Sequence, residues 1–320
     1  MKTTTVQGYS YESVPSVEAK PPFPPELLEK SRNFLESTLA VFRPLGPRAD
    51  IAPGVFTRFP VHAGRARNAA GVLGVDPCDL LAGNLCYDVL MGLSLMGCST
   101  LALPGEDGPV LARNMDWFPA EKIAKASCLV QEDYGVNAGF LGMIGSVTGL
   151  SKRGFCVCLN AVFGETDPEG YPMLLFLRHI LDTATDYQEA LSMTVEEHLM
   201  SGGIITVIGT RNHERAIVER TPTRNMVRSA KSDEPLLATN HFRALCKPES
   251  CERYAFMSQK VGTQPPMEIL TNRRVLQEIT AQHVVMCPAT QSAEMYVPSH
   301  LLPDDVDERV TTADLFGLIG

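Results

Sequence analysis

A cysteine and two charged side chains form the combination of residues most able to do covalent chemistry. Cys98 directly follows Gly97. Further along the chain, the run RNMDW contains Arg113 and Asp116. A guanidinium beside a thiol lowers the thiol's pKa, and a nearby carboxylate can orient an amine that accepts a proton. These residue types indicate a cysteine nucleophile if the fold brings them together; an isolated cysteine is more often a small buried apolar residue.

A β-hairpin is the element that must position these residues. The segment CSTLALPGEDGPVLARNMDW predicts a strand, a reversal at PGEDG and a second strand. A hairpin returns the end of its second strand to the start of its first. Arg113 and Asp116 are therefore expected beside Cys98.

Around this hairpin the sequence predicts an α+β protein with largely antiparallel sheets. Residues 1–24 are polar and rich in proline and predict an extended arm, which is followed by a helix over 25–43, a loop over 44–75 and a second helix over 76–92. Beyond the hairpin we expect strands at 127–131, 139–144, 155–161, 204–210, 215–220, 225–229, 236–239, 283–287 and 293–297, and helices at 173–184, 187–199 and 250–260.

The composition argues against several classes of function. The chain has 320 residues, 44% of them hydrophobic, as in an ordinary globular protein. Its net charge of -9 argues against a nucleic-acid partner, because phosphate contacts need a basic surface. There is no GxxxxGK[ST] or GxGxxG loop and no CxxC pair, and the seven histidines are scattered. We therefore expect no cofactor and no metal.

The cysteine count and the apolar stretches bear on the compartment. Nine cysteines are an odd number, which leaves at least one free thiol and argues against a compact disulfide framework. The first 20 residues lack the apolar core of a secretory signal. The most apolar stretch, 80–96, contains Asn84 and Asp88, and its uncharged parts are too short to span a membrane. The expectation is a soluble, cytoplasmic protein with no membrane span.

The motifs around Cys98 resemble those of a known enzyme family. CSTL, RNMDW and the preceding GNLCYDVLMGLSLMGC are similar to the N-terminal-nucleophile hydrolases of the choloylglycine hydrolase type. Among these, acid ceramidase and N-acylethanolamine acid amidase are most similar, and the penicillin acyltransferases are more distant. Further motifs follow in the family's order: GFCVCLNA with Asn160, LATNHF with Asn240, SCERY with Arg253, and VVMCPATQSAEMYV. The resemblance covers roughly 80–297, with a hairpin one residue shorter than usual.

The resemblance implies a fold and a maturation step. The fold is a four-layer αββα sandwich of two mainly antiparallel sheets. Maturation is autocatalytic cleavage between Gly97 and Cys98, in which the thiol attacks the Gly97 carbonyl and water hydrolyses the thioester. Cleavage would separate an N-terminal arm and helical segment, 1–97, from a catalytic domain, 98–320, with the 1–97 fragment as a partner.

The resemblance also implies the role of each site residue. After cleavage the new α-amine would take the proton of its own thiol, which would attack an amide to give an acyl-enzyme. The hairpin arginine would stabilise the thiolate, and the hairpin aspartate would hold the amine. The two asparagines would donate N–H groups to the oxyanion, and the last arginine would give structural or electrostatic support. The implied catalytic residues are Cys98, Arg113, Asp116, Asn160, Asn240 and Arg253.

The leading functional hypothesis is hydrolysis of a linear N-acyl amide, with a fatty acid as the expected acyl group. Bile-salt conjugates, penicillin-like amides, ceramides and N-acylethanolamines all remain open as substrates. Alternatives are an acyltransferase of the penicillin acyltransferase type, a non-catalytic family member, and a Cys–His hydrolase that pairs Cys98 with His241. His179 is a second possible histidine partner, whereas the charged run 196–198 is interpreted as a solvated helix face.

Overall fold

Two β-sheets and the helices that cover them make up the described part of the chain. The computed structural model describes residues 2–42, 51–89, 96–231, 233–247 and 250–303. The strands are β1 (Thr3–Val6), β2 (Tyr9–Ser13), β3 (Ser16–Glu18), β4 (Met96–Leu103), β5 (Val110–Trp117), β6 (Ser127–Glu132), β7 (Gly135–Phe140), β8 (Thr148–Ser151), β9 (Phe155–Asn160), β10 (Gly203–Ile208), β11 (Arg215–Arg220), β12 (Asn225–Ser229), β13 (Leu236–Ala238), β14 (Thr280–Cys287) and β15 (Ser292–Pro298). The helices are α1 (Pro25–Phe42), α2 (Ile51–Arg58), α3 (Pro60–Leu73), α4 (Pro77–Asn84), α5 (Cys86–Val89), α6 (Ala120–Ala126), α7 (Met173–Thr183), α8 (Tyr187–Glu196), α9 (Glu252–Lys260) and α10 (Pro266–Leu270), and a 3-10 turn follows at Ser299–Leu301.

The sheets stack face to face between two helical layers. The seven-stranded sheet has the order β1-β2-β15-β14-β5-β4-β13, and the eight-stranded sheet has the order β12-β11-β10-β9-β8-β7-β6-β3. Among the pairings of the described strands, that of β3 with β6 alone is parallel. Helices α7 and α8 pack on the eight-stranded sheet, and α9 and α10 pack on the seven-stranded sheet. The predicted α+β, αββα architecture is confirmed.

Side-chain alternation directs the start of β4 into the space between the sheets. Ala102 of β4 and Cys158 of β9 belong to the apolar core between the two sheets. Leu101 instead packs with residues of α9 and α10 on the outer face. Because successive strand side chains point to opposite faces, Cys98 and Thr100 share the inward direction of Ala102.

The predicted hairpin around Cys98 is present. β4 and β5 pair antiparallel, with Cys98 opposite Met115, Gly97 opposite Asp116 and Thr100 opposite Arg113. The pairing runs from one end of the strands to the other without a bulge, so the short turn at PGEDG does not disturb the register.

The N-terminal arm is part of both sheets, which the sequence did not predict. β1 and β2 form a hairpin whose second strand pairs with β15, and β3 pairs with β6. The prediction of an extended chain is correct, but the polar composition gave no sign of strand pairing. β1 and β3 are edge strands, β2 lies between β1 and β15, and all three have few buried residues, so they lack the apolar alternation that identifies a strand.

The loop predicted over 44–75 is wrong for its described part, which forms α2 and α3. Pro60 occupies the first turn of α3, where proline is tolerated, and Gly74 ends it in a left-handed conformation. The buried face of α3 consists largely of alanines, which explains why the apolar pattern was weak. The predicted helix over 76–92 begins as expected, with Asp76 capping the Cys78 N–H at 2.7 Å. It is divided at Leu85 into α4 and α5, and its last residues lie outside the described ranges.

The remaining predicted elements are present with small shifts at their ends. The largest shift concerns the strand predicted at 139–144, which lies at Gly135–Phe140. The short elements β8, α6 and α10 were not predicted. Within the described ranges, no helix combines the length and the apolar character needed to cross a membrane.

Candidate active site

Cys98 lies at the start of β4, buried between the two sheets with 4% of its surface exposed. Its Sγ accepts a hydrogen bond from Nη2 of Arg113 at 2.8 Å. On the opposite sheet, the carbonyl oxygen of Leu159 lies 3.6 Å from the same sulfur. The sulfur is therefore held between a guanidinium of its own hairpin and the backbone of β9.

Arg113 is fully buried and is held by the opposite sheet. Its Nη1 donates to the Val147 carbonyl at 3.1 Å and to Thr148 Oγ1 at 2.6 Å. Burial raises the pKa of the Cys98 thiol above its ordinary 9.0; the Arg113 charge opposes this shift, and Asp116 adds to it. In the uncut chain the thiol is thus predominantly protonated at neutral pH, so that a base is needed to form the thiolate.

Asp116 lies beside Gly97 on the outer face of the same hairpin. Its Oδ1 accepts from Thr280 Oγ1 at 2.7 Å, and its Oδ2 lies 3.4 Å from Nη1 of Arg253. Burial raises the pKa of the Asp116 carboxyl, while the Thr280 hydrogen bond and the two arginine charges oppose the shift. A Cβ at position 97 would lie 3.1 Å from Asp116 Oδ2, closer than an ordinary contact. Glycine therefore allows this carboxylate to approach the peptide bond before Cys98.

Asn240 binds the backbone nitrogen of Cys98. Its Oδ1 accepts from the Cys98 N–H at 3.1 Å and from Arg253 Nη2 at 2.7 Å. Its Nδ2 donates to the Ala161 carbonyl at 2.8 Å. In the uncut chain Asn240 thus contacts the nitrogen that cleavage would convert into an amine, and one of its two side-chain N–H donors is already used.

Arg253 extends from α9 to the backbone of the nucleophile. Its Nη1 donates to the Cys98 carbonyl at 3.1 Å and lies 3.2 Å from Ser99 Oγ. Together with the contacts to Asp116 and Asn240, this guanidinium joins the outer-face polar groups of the site.

Asn160 ends β9 opposite the start of β4 and is fully buried. Its Oδ1 accepts from Thr100 Oγ1 at 2.6 Å. Its Nδ2 has no hydrogen-bond partner among the residues that the structure describes. A buried N–H donor without a partner is costly, so this group is available to an oxygen that arrives only during reaction.

The structure brings all six candidate residues and Gly97 into one connected cluster. Thr100 and Thr280, which orient Asn160 and Asp116, were not singled out from the sequence. Thr100 could have been found from the sequence, because it belongs to the CST motif. Thr280 lies in β14 and comes close to Asp116 only through the pairing of β14 with β5.

His179 and the charged run 196–198 lie away from this cluster, whereas His241 directly follows Asn240 in the chain. His179 stacks on Tyr171 with ring centroids 5.6 Å apart, in the helical layer. His198 pairs with Asp167 at 2.9 Å on an exposed surface, in agreement with the solvated face expected for 196–198. Within the described ranges, no three histidine, cysteine, aspartate or glutamate side chains are grouped so as to hold a metal.

An apolar cavity of about 30 Å³ lies against the second strand of the hairpin that carries Cys98, although Cys98 is not one of its lining residues. One of its walls is Met115, the cross-strand neighbour of Cys98. The cavity lies where the N-terminal helices meet the sheets, and its lining is Phe34, Gly83, Asn84, Cys86, Met115, Trp117, Ile123, Ala138, Gly139, Phe140, Met143, Val147, Leu174 and Gln282.

Comparisons with known proteins agree with this architecture. Residues 103–286, more than half of the chain, match the family model described as acyl-coenzyme A:6-aminopenicillanic acid acyl-transferase. A solved structure, the N-acylethanolamine-hydrolyzing acid amidase ortholog of Caenorhabditis elegans, superposes with a TM-score of 0.53 and 20% sequence identity, over 60% of this chain and 93% of that chain. No curated protein matches the chain by sequence.

Proposed function

The chain belongs to the acyl-coenzyme A:6-aminopenicillanic acid acyl-transferase family, and from that premise we propose a self-processing amidohydrolase that acts through an acyl-enzyme on Cys98. The observation that carries the proposal is the surroundings of Cys98 in the uncut chain. Arg113 contacts its sulfur, and Asn240 contacts its backbone nitrogen. These are the contacts that we expect of a cysteine that becomes an N-terminal nucleophile.

The first step is cleavage of the chain at Gly97. The Cys98 sulfur bonds to the Gly97 carbonyl carbon, and the C–N bond breaks as the thiol proton passes to the leaving nitrogen. Water then hydrolyses the thioester, which frees the thiol and leaves a carboxylate on Gly97. The products are the fragments 1–97 and 98–320.

The second step uses the freed amine as a base. An α-amine has a pKa of about 8, which suits proton transfer near neutrality. It takes the thiol proton while Arg113 stabilises the thiolate, and the sulfur attacks the substrate carbonyl. Asn240 Oδ1 and Asp116 lie where they can hold the amine, and Asn160 Nδ2 is the free donor for the oxyanion. One such donor typically contributes about 3 kcal/mol to the transition state. The amine product leaves with the proton, and water hydrolyses the acyl-enzyme.

The substrate that we propose is a linear N-acyl amide with an apolar acyl group. The apolar cavity supports this choice, because its lining is mostly apolar and includes Met115, the cross-strand neighbour of Cys98. The similar fold of a protein named for hydrolysis of N-acylethanolamines is consistent with the same class.

Acyl transfer is the second candidate, and the description of the matching family favours it. In that case an amine or a thiol, instead of water, would accept the acyl group from Cys98. Product analysis with and without an added acceptor distinguishes the two reactions.

The test of the proposal is an intact-mass measurement of the purified protein, followed by turnover of N-acyl amides. We expect two chains that separate after Gly97, one uncut chain for Cys98→Ala, and normal cleavage for the control Cys156→Ala, whose thiol is buried in the core between the sheets. A wild-type chain that stays uncut and inactive between pH 4 and pH 8 would show the proposal to be wrong.

A further inference from the structure

A buried carboxylate in β11 binds the loop that follows Asn240. The side chain of Glu219 is fully buried. Its oxygens accept from the backbone N–H of Arg243 at 2.8 and 2.9 Å, of Ala244 at 2.8 Å and of Leu245 at 2.9 Å. Three successive amides therefore converge on one carboxylate.

Arg228 extends this contact to the other side of Asn240. Its Nε donates to Glu219 Oε1 at 2.9 Å, and its Nη2 donates to the Leu237 carbonyl at 3.1 Å. The two side chains are diagonal neighbours on one face of the β11–β12 pair. Glu219 and Arg228 thus bind the backbone on both sides of Asn240, at Leu237 and at Arg243.

The loop needs such an anchor because its backbone lacks the regular hydrogen bonds of a strand or a helix. Residues 239–247 belong to no strand or helix, so their amides find no partners in a regular element. β11 lies in the eight-stranded sheet and β13 in the seven-stranded sheet. The contacts of Glu219 and Arg228 therefore connect the loop to both sheets. Asn240 also connects the two sheets, because its side chain binds the Cys98 nitrogen of β4 and the carbonyl oxygen of Ala161, which follows β9.

We infer that Glu219, assisted by Arg228, is a positioning residue for the proposed reaction: it holds Asn240 where its Oδ1 meets the nitrogen of Cys98. The inference rests on the proposed function for its catalytic consequence. Neither side chain touches the reacting atoms.

The test is Glu219→Gln, with Glu214→Gln as the matched control. Glu214 is also a buried carboxylate of the eight-stranded sheet region, and it accepts the N–H groups of Thr210 and Arg211 at 2.9 and 3.0 Å. It anchors the turn before β11 and not the Asn240 loop. We expect Glu219→Gln to lower the rate of self-cleavage and the kcat for amide roughly 10- to 100-fold with little change in KM, and Glu214→Gln to leave both rates within about twofold. Equal losses in the two variants would overturn the inference.

A double-mutant cycle separates positioning from a general structural effect. If Glu219 acts through Asn240, the double variant Glu219→Gln/Asn240→Ala will be no slower than Asn240→Ala alone, within about twofold. Losses that multiply would overturn the inference. If Glu219→Gln does not fold, Arg228→Lys replaces it in the cycle, because lysine keeps the charge but lacks the planar guanidinium that reaches Leu237. The double variant Arg228→Lys/Asn240→Ala should then be no slower than Asn240→Ala alone, within about twofold.

A measurement that does not depend on activity tests the Glu219 anchor separately from the proposed function. Amide hydrogen exchange at 243–245 and the NMR signal of the Asn240 side-chain amide should change in Glu219→Gln and not in Glu214→Gln. If these changes occur but the wild-type protein neither cuts itself nor turns over amides, the proposed function fails and the anchor itself stands. If they do not occur, the anchor is wrong.

Discussion

At Cys98, burial and charge act in opposite directions on the thiol. Burial between the sheets raises its pKa, and the Arg113 guanidinium at 2.8 Å opposes that shift. A protonated thiol is a weak nucleophile in the uncut chain, where it needs to react only once in the proposed self-cleavage, and an α-amine that removes its proton would make it more reactive in every later turnover. The surroundings of Cys98 therefore favour a nucleophile whose deprotonation depends on the α-amine of the same residue.

Gly97 offers a direct test of whether crowding before the proposed cleavage point affects the rate of self-cleavage. A Cβ there would lie 3.1 Å from Asp116 Oδ2 and 3.3 Å from Asp116 Cβ, so Gly97→Ala forces the buried carboxylate to move. Overpacking of this kind costs roughly 1–3 kcal/mol, and we expect self-cleavage to slow at least about fivefold. The measurement is the uncut fraction against time by intact mass. Gly64→Ala is the control, because nothing lies within 4 Å of a Cβ at that position; equal rates for the two variants would contradict the prediction.

Met143 tests whether the cavity beside Met115 receives the acyl group. Met143 lines this small apolar space, and truncation would enlarge it. We therefore expect Met143→Ala to raise the kcat/KM of long-chain amides relative to short-chain amides. Competition between two acyl lengths measures this ratio, and Met226→Ala, at a side chain 44% exposed, is the control. An unchanged ratio would place the acyl group elsewhere.

At the scale of elements, polar side chains of α4 and α5 bind residues of the chain that follow Cys98. Asn84 accepts from the Ile144 N–H and donates to the Gly142 carbonyl, and Tyr87 donates to the Gly202 carbonyl at 2.7 Å. Asp88 accepts the first N–H of α7, from Met173, with both oxygens at 3.1 Å. These short helices, which precede the proposed cleavage point, are therefore held by specific hydrogen bonds as well as by apolar packing.

Asp88 makes the stability of this contact depend on pH. Burial raises its pKa from 3.8 to about 7, with hydrogen bonds from Ser201 and Met173 opposing the shift. Because the folded state holds the proton more tightly than the unfolded state, the resulting stabilisation is full below pH 3.8 and is lost as the pH rises through about 7. We expect the urea midpoint of wild type to fall more between pH 5 and pH 8 than that of Asp88→Asn. Asp79→Asn, at an exposed position of α4, should behave like wild type; identical slopes for Asp88→Asn and wild type would contradict the prediction.

At the scale of the whole molecule, the residues before Cys98 complete both sheets. β2 lies against β15, and β3 lies against β6. Loss of the N-terminal fragment would expose two strand edges and the apolar surface under α1 and α4. The division at residue 97 that we propose is therefore a division of one folded unit.

The two fragments should remain associated after cleavage. We expect purified, cleaved protein to elute from a gel-filtration column as a single particle, and to yield both chains by mass spectrometry under denaturing conditions. Separation of the fragments without denaturant would contradict this prediction.

Part of this fold could be predicted from the sequence because its signals are local. The β4–β5 hairpin follows from strand patterns on both sides of PGEDG, and α1 follows from helical spacing between two prolines. The helices α2 and α3 were missed because their glycine, proline and alanine residues leave only a weak helical pattern of large apolar residues. The strands β1 to β3 were missed because they are largely polar and because they join the two sheets through non-local pairings with β15 and β6.

The nearness of Arg113 and Asp116 to Cys98 was determined by the sequence itself, since one tight turn sets the register of one hairpin. The order of strands and helices also predicted an α+β protein with largely antiparallel sheets, and the family resemblance implied the four-layer αββα arrangement. Only the tertiary structure decided that Asn160 offers an unpaired donor, that Asn240 holds the Cys98 nitrogen, and that Glu219 anchors the loop beside it. The physical reason is that these contacts cross between separate elements. Their geometry depends on how two sheets and α9 pack together, which spacing along the chain does not encode.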